Sequence, residues 1–243
     1  MTVRPKDKVV GILGGMGPAA TLDLLSKVLR HTPATRDQEH LRILVDINPK
    51  VPDRVAAILE GGEDPGPVLV EMARGLERMG AGLLAIACNT AHYWWQATQE
   101  AVGVPVLHMI RETVRYLEGL DPVPRTAGLL ASNAVVRVGL YQEALRDAGI
   151  EVVVPSDPAQ ERVMRVIWGV KGGEDPGSLQ SLLRSVADEV VTRGAQCVIA
   201  GCTEIPIVLP FVGNLGVPVV DATDVLARAI VREAMAVKEE CQR

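Results

Sequence analysis

The chain has 243 residues, a formal net charge of −5, 48% hydrophobic residues and 23% charged residues. This composition is typical of a globular protein and excludes a disordered chain, and the length suits one large α/β domain or two small ones. The acidic balance argues against nucleic-acid binding, and no apolar run approaches the roughly 18 residues of a membrane span.

The first residues, MTVRPKDKVVGIL, pass directly from charged residues into a short strand-like run. This pattern lacks the apolar region and cleavage site of a signal peptide, so we expect a cytoplasmic protein. The four cysteines, Cys88, Cys197, Cys202 and Cys241, are too few and too unevenly spaced for a disulfide framework. We therefore expect reduced thiols.

Eight short apolar runs along the chain predict buried parallel strands. In order they are VVGIL, LRILVDI, GLLAIA, VPVLH, TAGLLA, IEVVVP, CVIA and VPVVDA. Segments with helix-period apolar positions, such as PVLVEMARGLERMG and SLQSLLRSVADEVVTRG, lie between several of them. This alternation predicts an α/β architecture with parallel sheets.

A glycine-rich loop follows the first predicted strand, in the stretch GILGGMGPAATLDLL. Gly15, Gly17 and Ala20 fit the dinucleotide-binding pattern G-x-G-x-x-A, and Asp46 closes the next strand. Asp46 lies farther downstream than that pattern expects. With Pro18 at the first helical position, the loop can equally present backbone N–H groups to a substrate carboxylate. A nucleotide-dependent oxidoreductase therefore stays open as an alternative.

The stretch AIACNTAH, residues 85–92, ends an apolar strand with a thiol. A single cysteine in that position is more often a small buried hydrophobe than a reactive group. Zinc binding is an alternative, since His92 follows Cys88 by four residues, but the paired ligand spacings of structural zinc sites are missing. We expect no metal here, and we expect His92 to cap or brace the helix after Cys88.

An internal repeat changes this interpretation of Cys88. ERMGAGLLAIACNT aligns with VTRGAQCVIAGCTE, which places Cys88 opposite Cys202, 114 residues later. GVPVLHMI likewise aligns with GVPVVDAT, and the hexapeptide GGEDPG occurs at 61–66 and again at 172–177. The repeat indicates that the chain consists of two similar halves.

Both copies of GGEDPG are interpreted as helix starts. Asp64 and Asp175 are the predicted N-caps, and the proline after each occupies the first helical position. Gly80 and Gly194 are expected to close the two helices.

We therefore predict an α/β fold of two similar small domains, each a parallel sheet flanked by helices. Residues 1–107 and 221–243 form the first domain, and residues 108–220 form the second. A pseudo-two-fold axis would bring equivalent strand ends together across a cleft, where open α/β sheets bind ligands. Cys88 and Cys202 are expected to face each other there.

The four thiols are not equivalent. Cys88 and Cys202 leave a strand at the same point of their halves, where a following helix N-terminus would lower a thiol pKa. Cys197 lies inside the strand CVIA, five residues before Cys202, and is predicted to be core. Cys241 lies in the charged segment KEECQR and is interpreted as incidental.

Two facing thiols suit the inversion of a chiral acid. A thiolate on one face removes the proton next to the carboxylate, and a thiol on the other face returns one. Fixed donors must stabilise the carbanion, and Asn89, Thr90 and Thr203 are placed to provide them.

At this point the sequence resembles the aspartate/glutamate racemase superfamily, and most closely its aspartate racemases. The resemblance rests on four motifs in the right order, GGMGPAAT (14–21), INPKVPDR (47–54), ACNTAH (87–92) and GCTEIP (201–206). It implies that Cys88 and Cys202 are the acid/base pair of a racemase that needs no pyridoxal or other cofactor.

The resemblance also implies a substrate site. Arg54 and Lys171 would bind the side-chain carboxylate of the substrate, and Met16 of the GGMG loop belongs to the predicted site. The family is commonly dimeric, which implies a homodimer. The predicted function is the interconversion of L- and D-aspartate, a small-molecule substrate, without nucleic-acid or membrane partners.

One loop departs from the family pattern A-T-x-G-T. Here Ala131-Ser132-Asn133-Ala134-Val135 keeps a hydroxyl at Ser132, a predicted substrate-binding residue, but has Val135 in place of the last threonine. The substrate identity therefore stays open. One alternative is racemisation of glutamate or another amino acid. Others are isomerisation or decarboxylation of a dicarboxylic acid, and binding of a small acid without catalysis.

Overall fold

The computed structural model describes residues 7–235, so Cys241 lies outside the described residues. Eight strands occur in this part of the chain, and all of them fall within the predicted apolar runs. They are β1 (Val10–Gly14), β2 (Ile43–Ile47), β3 (Leu83–Ile86), β4 (Val106–Leu107), β5 (Thr126–Leu130), β6 (Glu151–Val153), β7 (Cys197–Ala200) and β8 (Val219–Asp221).

Eleven α-helices lie between and after these strands within residues 7–235. They are α1 (Pro18–His31), α2 (Arg54–Leu59), α3 (Gly66–Arg78), α4 (Trp95–Glu100), α5 (Met109–Glu118), α6 (Asn133–Val138), α7 (Leu140–Asp147), α8 (Asp157–Lys171), α9 (Gln180–Thr192), α10 (Ile205–Val212) and α11 (Ala222–Met235). Within the described range, none of them has the length and apolar character needed to cross a membrane.

The strands form two separate four-stranded parallel sheets. Their orders are β2-β1-β3-β4 and β6-β5-β7-β8, so corresponding strands hold corresponding places in the two sheets. Parallel pairing requires a crossover between strands, and helices provide it in both halves. The predicted fold class, two similar α/β units with parallel sheets flanked by helices, is confirmed.

Side chains alternate between the two faces of each sheet, and each face has its own core. In β3, Leu83 and Ala85 pack against α1 and α11, whereas Leu84 and Ile86 pack against α3. The second sheet repeats this arrangement, with α8, α9 and α10 on one face and α5 and α7 on the other. Helices therefore cover both faces of both sheets, as buried parallel strands require.

Two helices cross from one half to the other. α5 follows β4 of the first sheet, yet its Ile110 and Val114 pack in a core of the second sheet. α11 follows β8 of the second sheet, and its Leu226 and Ile230 pack against the first. The exchange involves residues 109–118 and 222–235, and the division into 1–107 plus 221–243 and 108–220 stays a prediction.

The two GGEDPG segments differ at the helix starts and agree at the helix ends. Asp175 accepts a hydrogen bond from the Ser178 N–H at the start of a 3-10 turn, as predicted for an N-cap. In the first copy Pro65, rather than Asp64, holds the cap position, because α3 begins only at Gly66. The helices that follow both end just before a glycine of positive φ, Gly80 at 96° and Gly194 at 98°.

The loop between β1 and α1 is fixed by one threonine. Gly15 has a φ of 89°, and a Cβ there would stand 2.4 Å from the Asn48 backbone, so only glycine fits. Fully buried Thr21 accepts a hydrogen bond from the Gly15 N–H at 2.9 Å and donates one to the Gly17 carbonyl at 3.0 Å. Thr21 thus sets the loop conformation from within the first helix.

We expect Thr21→Val to destabilise the protein by about 1–3 kcal/mol, because it leaves the buried Gly15 N–H without its acceptor. Urea unfolding measures this free energy. The matched control is Thr192→Val, which removes an exposed hydroxyl bonded to the Asp188 carbonyl and should change stability by less than about 0.5 kcal/mol. Equal losses in the two variants would contradict the role given to Thr21.

Candidate active site

The two predicted thiols occupy equivalent places in the two halves. Cys88 and Cys202 each lie two residues beyond the end of their strands, β3 and β7. Their exposed fractions are 5% and 7%, so both thiols are almost completely buried. Cys197 is also buried but packs on the opposite face of the second sheet from Cys202, as predicted.

A carboxylate connects Cys202 to a lysine. The Cys202 thiol donates a hydrogen bond to Oε2 of Glu204 at 3.0 Å, and Oε1 of Glu204 forms an ion pair with Nζ of Lys171 at 3.0 Å. Thr203 donates a weaker hydrogen bond to the same carboxylate, at 3.4 Å. Only 3% of the Glu204 side chain is exposed, whereas 32% of the Lys171 side chain is, so the carboxylate is shielded from solvent and the lysine is partly exposed.

The acidity of Cys202 differs from the prediction. Burial raises the pKa of the Cys202 thiol well above its ordinary value, and the charge of Glu204 raises it further, while Lys171 opposes both. The expectation that a helix N-terminus lowers this pKa is therefore wrong for Cys202. The physical reason is that desolvation and an adjacent carboxylate outweigh the start of α10, three residues farther on.

The Lys171 ammonium lies beside the Glu204 carboxylate. Burial lowers its pKa, but the adjacent Glu204 carboxylate is the main influence in the opposite direction, and the net effect is a raised pKa of Lys171. The ammonium also donates a hydrogen bond to the Met16 carbonyl at 3.2 Å. Lys171 is thus a charged group held between the two halves.

Arg54 lies beside the same carbonyl. Its Nη2 donates to the Met16 carbonyl at 3.2 Å, and its Nη1 donates to the Val51 and Pro52 carbonyls at 3.1 Å and 2.9 Å. Its buried Nε finds no hydrogen-bond partner among residues 7–235. Met16 contributes only its backbone here, because its side chain packs in a core cluster with Cys88.

Two further contacts join the halves beside Cys88. The Tyr141 hydroxyl donates to Oδ1 of Asn89 at 2.7 Å, and the hydroxyl oxygens of Thr90 and Ser132 lie 3.0 Å apart. Ser132 is also the N-cap of α6, whereas Val135 is fully buried in a core cluster of the second sheet. Val135 is therefore a packing residue in this conformation.

A cavity of about 510 Å³ opens beside these groups. Its lining includes Gly15, Gly17, Arg54, Lys171 and Glu204, from both halves of the chain. The thiols are not part of its lining, and Glu204 stands between the cavity and Cys202. The charged residues of this lining are two cations, Arg54 and Lys171, and two carboxylates, Asp53 and Glu204.

His92 has a structural role at this site. Its Nδ1 donates to the Cys88 carbonyl at 2.8 Å, and its Nε2 accepts from the Met109 N–H at 3.0 Å. Both ring nitrogens are therefore occupied, and His92 braces the strand end at Cys88 against the start of α5. Within residues 7–235, no cluster of three or more His, Cys, Asp or Glu side chains is arranged to hold a metal ion.

Sequence reasoning missed two residues of this site. The internal repeat aligns Glu204, two residues after Cys202, with Thr90, two residues after Cys88. That difference between aligned positions is the signal that could have identified it. Tyr141 gave no comparable signal, since its contact with Asn89 joins residues 52 positions apart on different halves.

The fold and the site together define a two-domain α/β protein with a candidate acid–base site between equivalent strand ends. The chain belongs to the Asp/Glu/hydantoin racemase family, whose profile matches residues 13–230. Membership of this family favours the racemase interpretation over the nucleotide-dependent oxidoreductase that the glycine loop left open.

Individual relatives agree with this assignment. The chain is 27% identical over 235 residues to the broad specificity amino-acid racemase RacX of Bacillus subtilis strain 168, a match covering 94% of this chain and 99% of that protein. The structure of Picrophilus torridus aspartate racemase matches with a TM-score of 0.83 and 32% identity, covering 93% of this chain and 94% of that one. Glutamate racemase RacE1 from Bacillus anthracis shares the fold, with a TM-score of 0.68 at 18% identity and coverage of 97% and 85%.

The buried imidazole predicts an acid-sensitive contribution to stability. Burial lowers the pKa of His92 from 6.5 to about 4, so between these values the unfolded chain binds a proton on His92 that the folded protein does not. Stability from this group is therefore lost as the pH falls from about 6.5 to about 4, by about 3 kcal/mol at most. The stability difference between wild type and His92→Asn should shrink over that window in urea unfolding.

The neighbouring His108 provides the companion variant for this experiment. Burial, assisted by His92 and Arg111, lowers the pKa of His108 to about 3. His108→Asn should thus show the same sign, over a window that extends to lower pH. A stability difference for His92→Asn that stays constant from pH 7 to pH 4 would refute the buried neutral imidazole.

Proposed function

We propose that the protein is a cofactor-independent racemase that interconverts L- and D-aspartate, with Cys88 and Cys202 as its acid/base pair. The observation that carries the proposal is the equivalence of the two thiols, each two residues beyond the corresponding strand of its half. Family membership supports the reaction class.

In this mechanism one thiolate removes the α-proton and the opposite thiol delivers a proton to the other face of the carbon. The thiolate becomes a thiol and the thiol becomes a thiolate, so the protein completes a half-cycle with the two roles exchanged. Negative charge develops on the substrate carboxylate during proton removal and requires fixed donors. Asn89, Thr90 and Thr203 are the proposed donors beside the thiols, and Ser132 extends this group through its contact with Thr90.

The proposed substrate class follows from the cations at the cavity. Arg54 and Lys171 lie 3.2 Å from the same carbonyl oxygen, and both line the cavity, which suits the distal carboxylate of an acidic amino acid. The likeness to Picrophilus torridus aspartate racemase supports aspartate. The likeness to RacX, a broad specificity racemase, favours a wider set of amino acids as the second candidate.

Deuterium exchange tests the two-base assignment. In D₂O the wild type should exchange the α-proton of both L- and D-aspartate, as followed by proton NMR. Cys88→Ser and Cys202→Ser should each lose about 10²–10⁴-fold in racemisation, because inversion needs a base on each face. Any residual exchange should be confined to one enantiomer, and to opposite enantiomers in the two variants.

The chain supplies a matched control for these variants in Cys197, which is buried in the core away from both thiols. Cys197→Ala should retain racemisation even if stability falls. Full activity in either Cys88→Ser or Cys202→Ser would refute the pair. Residual exchange of the same enantiomer in both variants would refute the assignment of one thiol to each face.

A substrate panel tests Arg54. Arg54→Ala should raise KM for aspartate and glutamate by about 10- to 100-fold, the value of one charged hydrogen bond, and should leave an uncharged amino acid such as alanine unaffected. Arg193→Ala, at the exposed end of α9, is the control for loss of a positive charge. An equal loss for all substrates would show that Arg54 supports the loop rather than the distal carboxylate.

Two further proposals concern the state of the protein. We expect a homodimer, which sedimentation equilibrium tests directly, and a cytoplasmic location, which fractionation of the producing cell tests.

A further inference from the structure

The carboxylate of Glu204 lies between a thiol and an ammonium, and this geometry determines where the proton sits. Its Oε2 is 3.0 Å from the Cys202 sulfur, and its Oε1 is 3.0 Å from Nζ of Lys171. A sulfur and a carboxylate oxygen at that distance must share one proton, because two anions would repel each other. The other oxygen of Glu204 is paired with the Lys171 ammonium, so we assign the shared proton to the sulfur, as the donor of the hydrogen bond.

Among residues 7–235, no carboxylate is hydrogen-bonded to the Cys88 sulfur as Glu204 is to that of Cys202. The internal repeat places Thr90 where the second half has Glu204, and the Thr90 hydroxyl contacts the uncharged Ser132 at 3.0 Å. The other titratable groups that act on Cys202 are Lys171 and Cys88. Tyr141 faces the site as well, but burial raises its pKa, so it stays neutral. Glu204 is therefore the group that makes the two thiols different.

We propose that Glu204 is a positioning residue that holds Cys202 as the protonated member of the pair in the unliganded protein, so that Cys88 is the thiol that first loses its proton. This inference rests on the proposed function. In the resting enzyme Cys202 is then the acid, ready to donate, and only the enantiomer whose α-proton faces Cys88 reacts with this form.

Thermodynamics limits where this asymmetry can appear in the kinetics. Two enantiomers have equal free energies, so kcat/KM must be equal in the two directions for the wild type and for every variant. The different resting states of the thiols instead appear as unequal kcat values for L- and D-aspartate, with KM unequal by the same factor. Glu204→Gln should bring the ratio of the two kcat values closer to one.

Alkylation by iodoacetamide tests the proposal without any use of turnover. The thiolate is the reacting species, and mass spectrometry of peptides follows Cys88 and Cys202 separately. In the wild type at pH 7, Cys88 should react faster than Cys202. Glu204→Gln should accelerate Cys202 by at least about tenfold, the effect of one pKa unit, and should move the pH profile of its alkylation to lower pH.

A second variant of the same network separates electrostatics from structural damage. Lys171→Met removes the cation that favours the Cys202 thiolate, so Cys202 should react more slowly than in the wild type. General loosening of the site would accelerate alkylation in both variants. Glu174→Gln, which alters an exposed ion pair with Arg165 that does not involve either thiol, should leave both rates unchanged.

The outcomes are distinct. Faster alkylation of Cys202 than of Cys88 in the wild type, or no acceleration in Glu204→Gln, overturns the proposal, as does a change of the same sign in Glu204→Gln and Lys171→Met. If the alkylation pattern is as expected but no amino acid is racemised, the proposed function fails while the asymmetry of the thiols stands.

Discussion

The candidate site depends on one backbone carbonyl, that of Met16. Arg54 from the first half and Lys171 from the second both donate to this oxygen, each at 3.2 Å. The loop lies close to the second half at residue 17, where a Cβ would stand 3.3 Å from Oε1 of Glu204, a tight contact that glycine avoids. A loop that resembles a nucleotide-binding turn in sequence thus positions two cationic side chains between the two sheets.

Burial of Arg54 and Glu204 is tolerable because each has a polar partner. An isolated buried ion costs several kcal/mol, and removal of one member of a buried pair leaves the other without compensation. Glu204 is paired with Lys171, which also donates to a carbonyl, and Arg54 donates to three carbonyls. The same arrangement leaves cations at the cavity wall, where a substrate carboxylate can compete for them.

The sequence predicted the features that depend on the spacing of apolar residues and on the internal repeat. It did not predict those that depend on the orientation of individual side chains. All eight strands and the equivalent places of Cys88 and Cys202 followed from apolar runs and aligned segments. The pKa direction of Cys202 did not, because a helix start is visible in sequence whereas the orientation of Glu204 toward the sulfur is not. The contact of Tyr141 with Asn89 depends on the packing of two halves, which no local pattern encodes.

Symmetry of fold and asymmetry of side chains serve different parts of the chemistry. Proton transfer on two faces of one carbon needs two similar bases, and duplicated sheets supply them at matching strand ends. An amino acid, however, has two different ends, so the groups around the bases must differ. The repeat aligns Arg54 with Arg165, which pairs with Glu174 at the surface, and aligns Lys171 with exposed Glu60. Only one member of each aligned pair lines the cavity. The two similar halves therefore form a site whose charged groups are not symmetric.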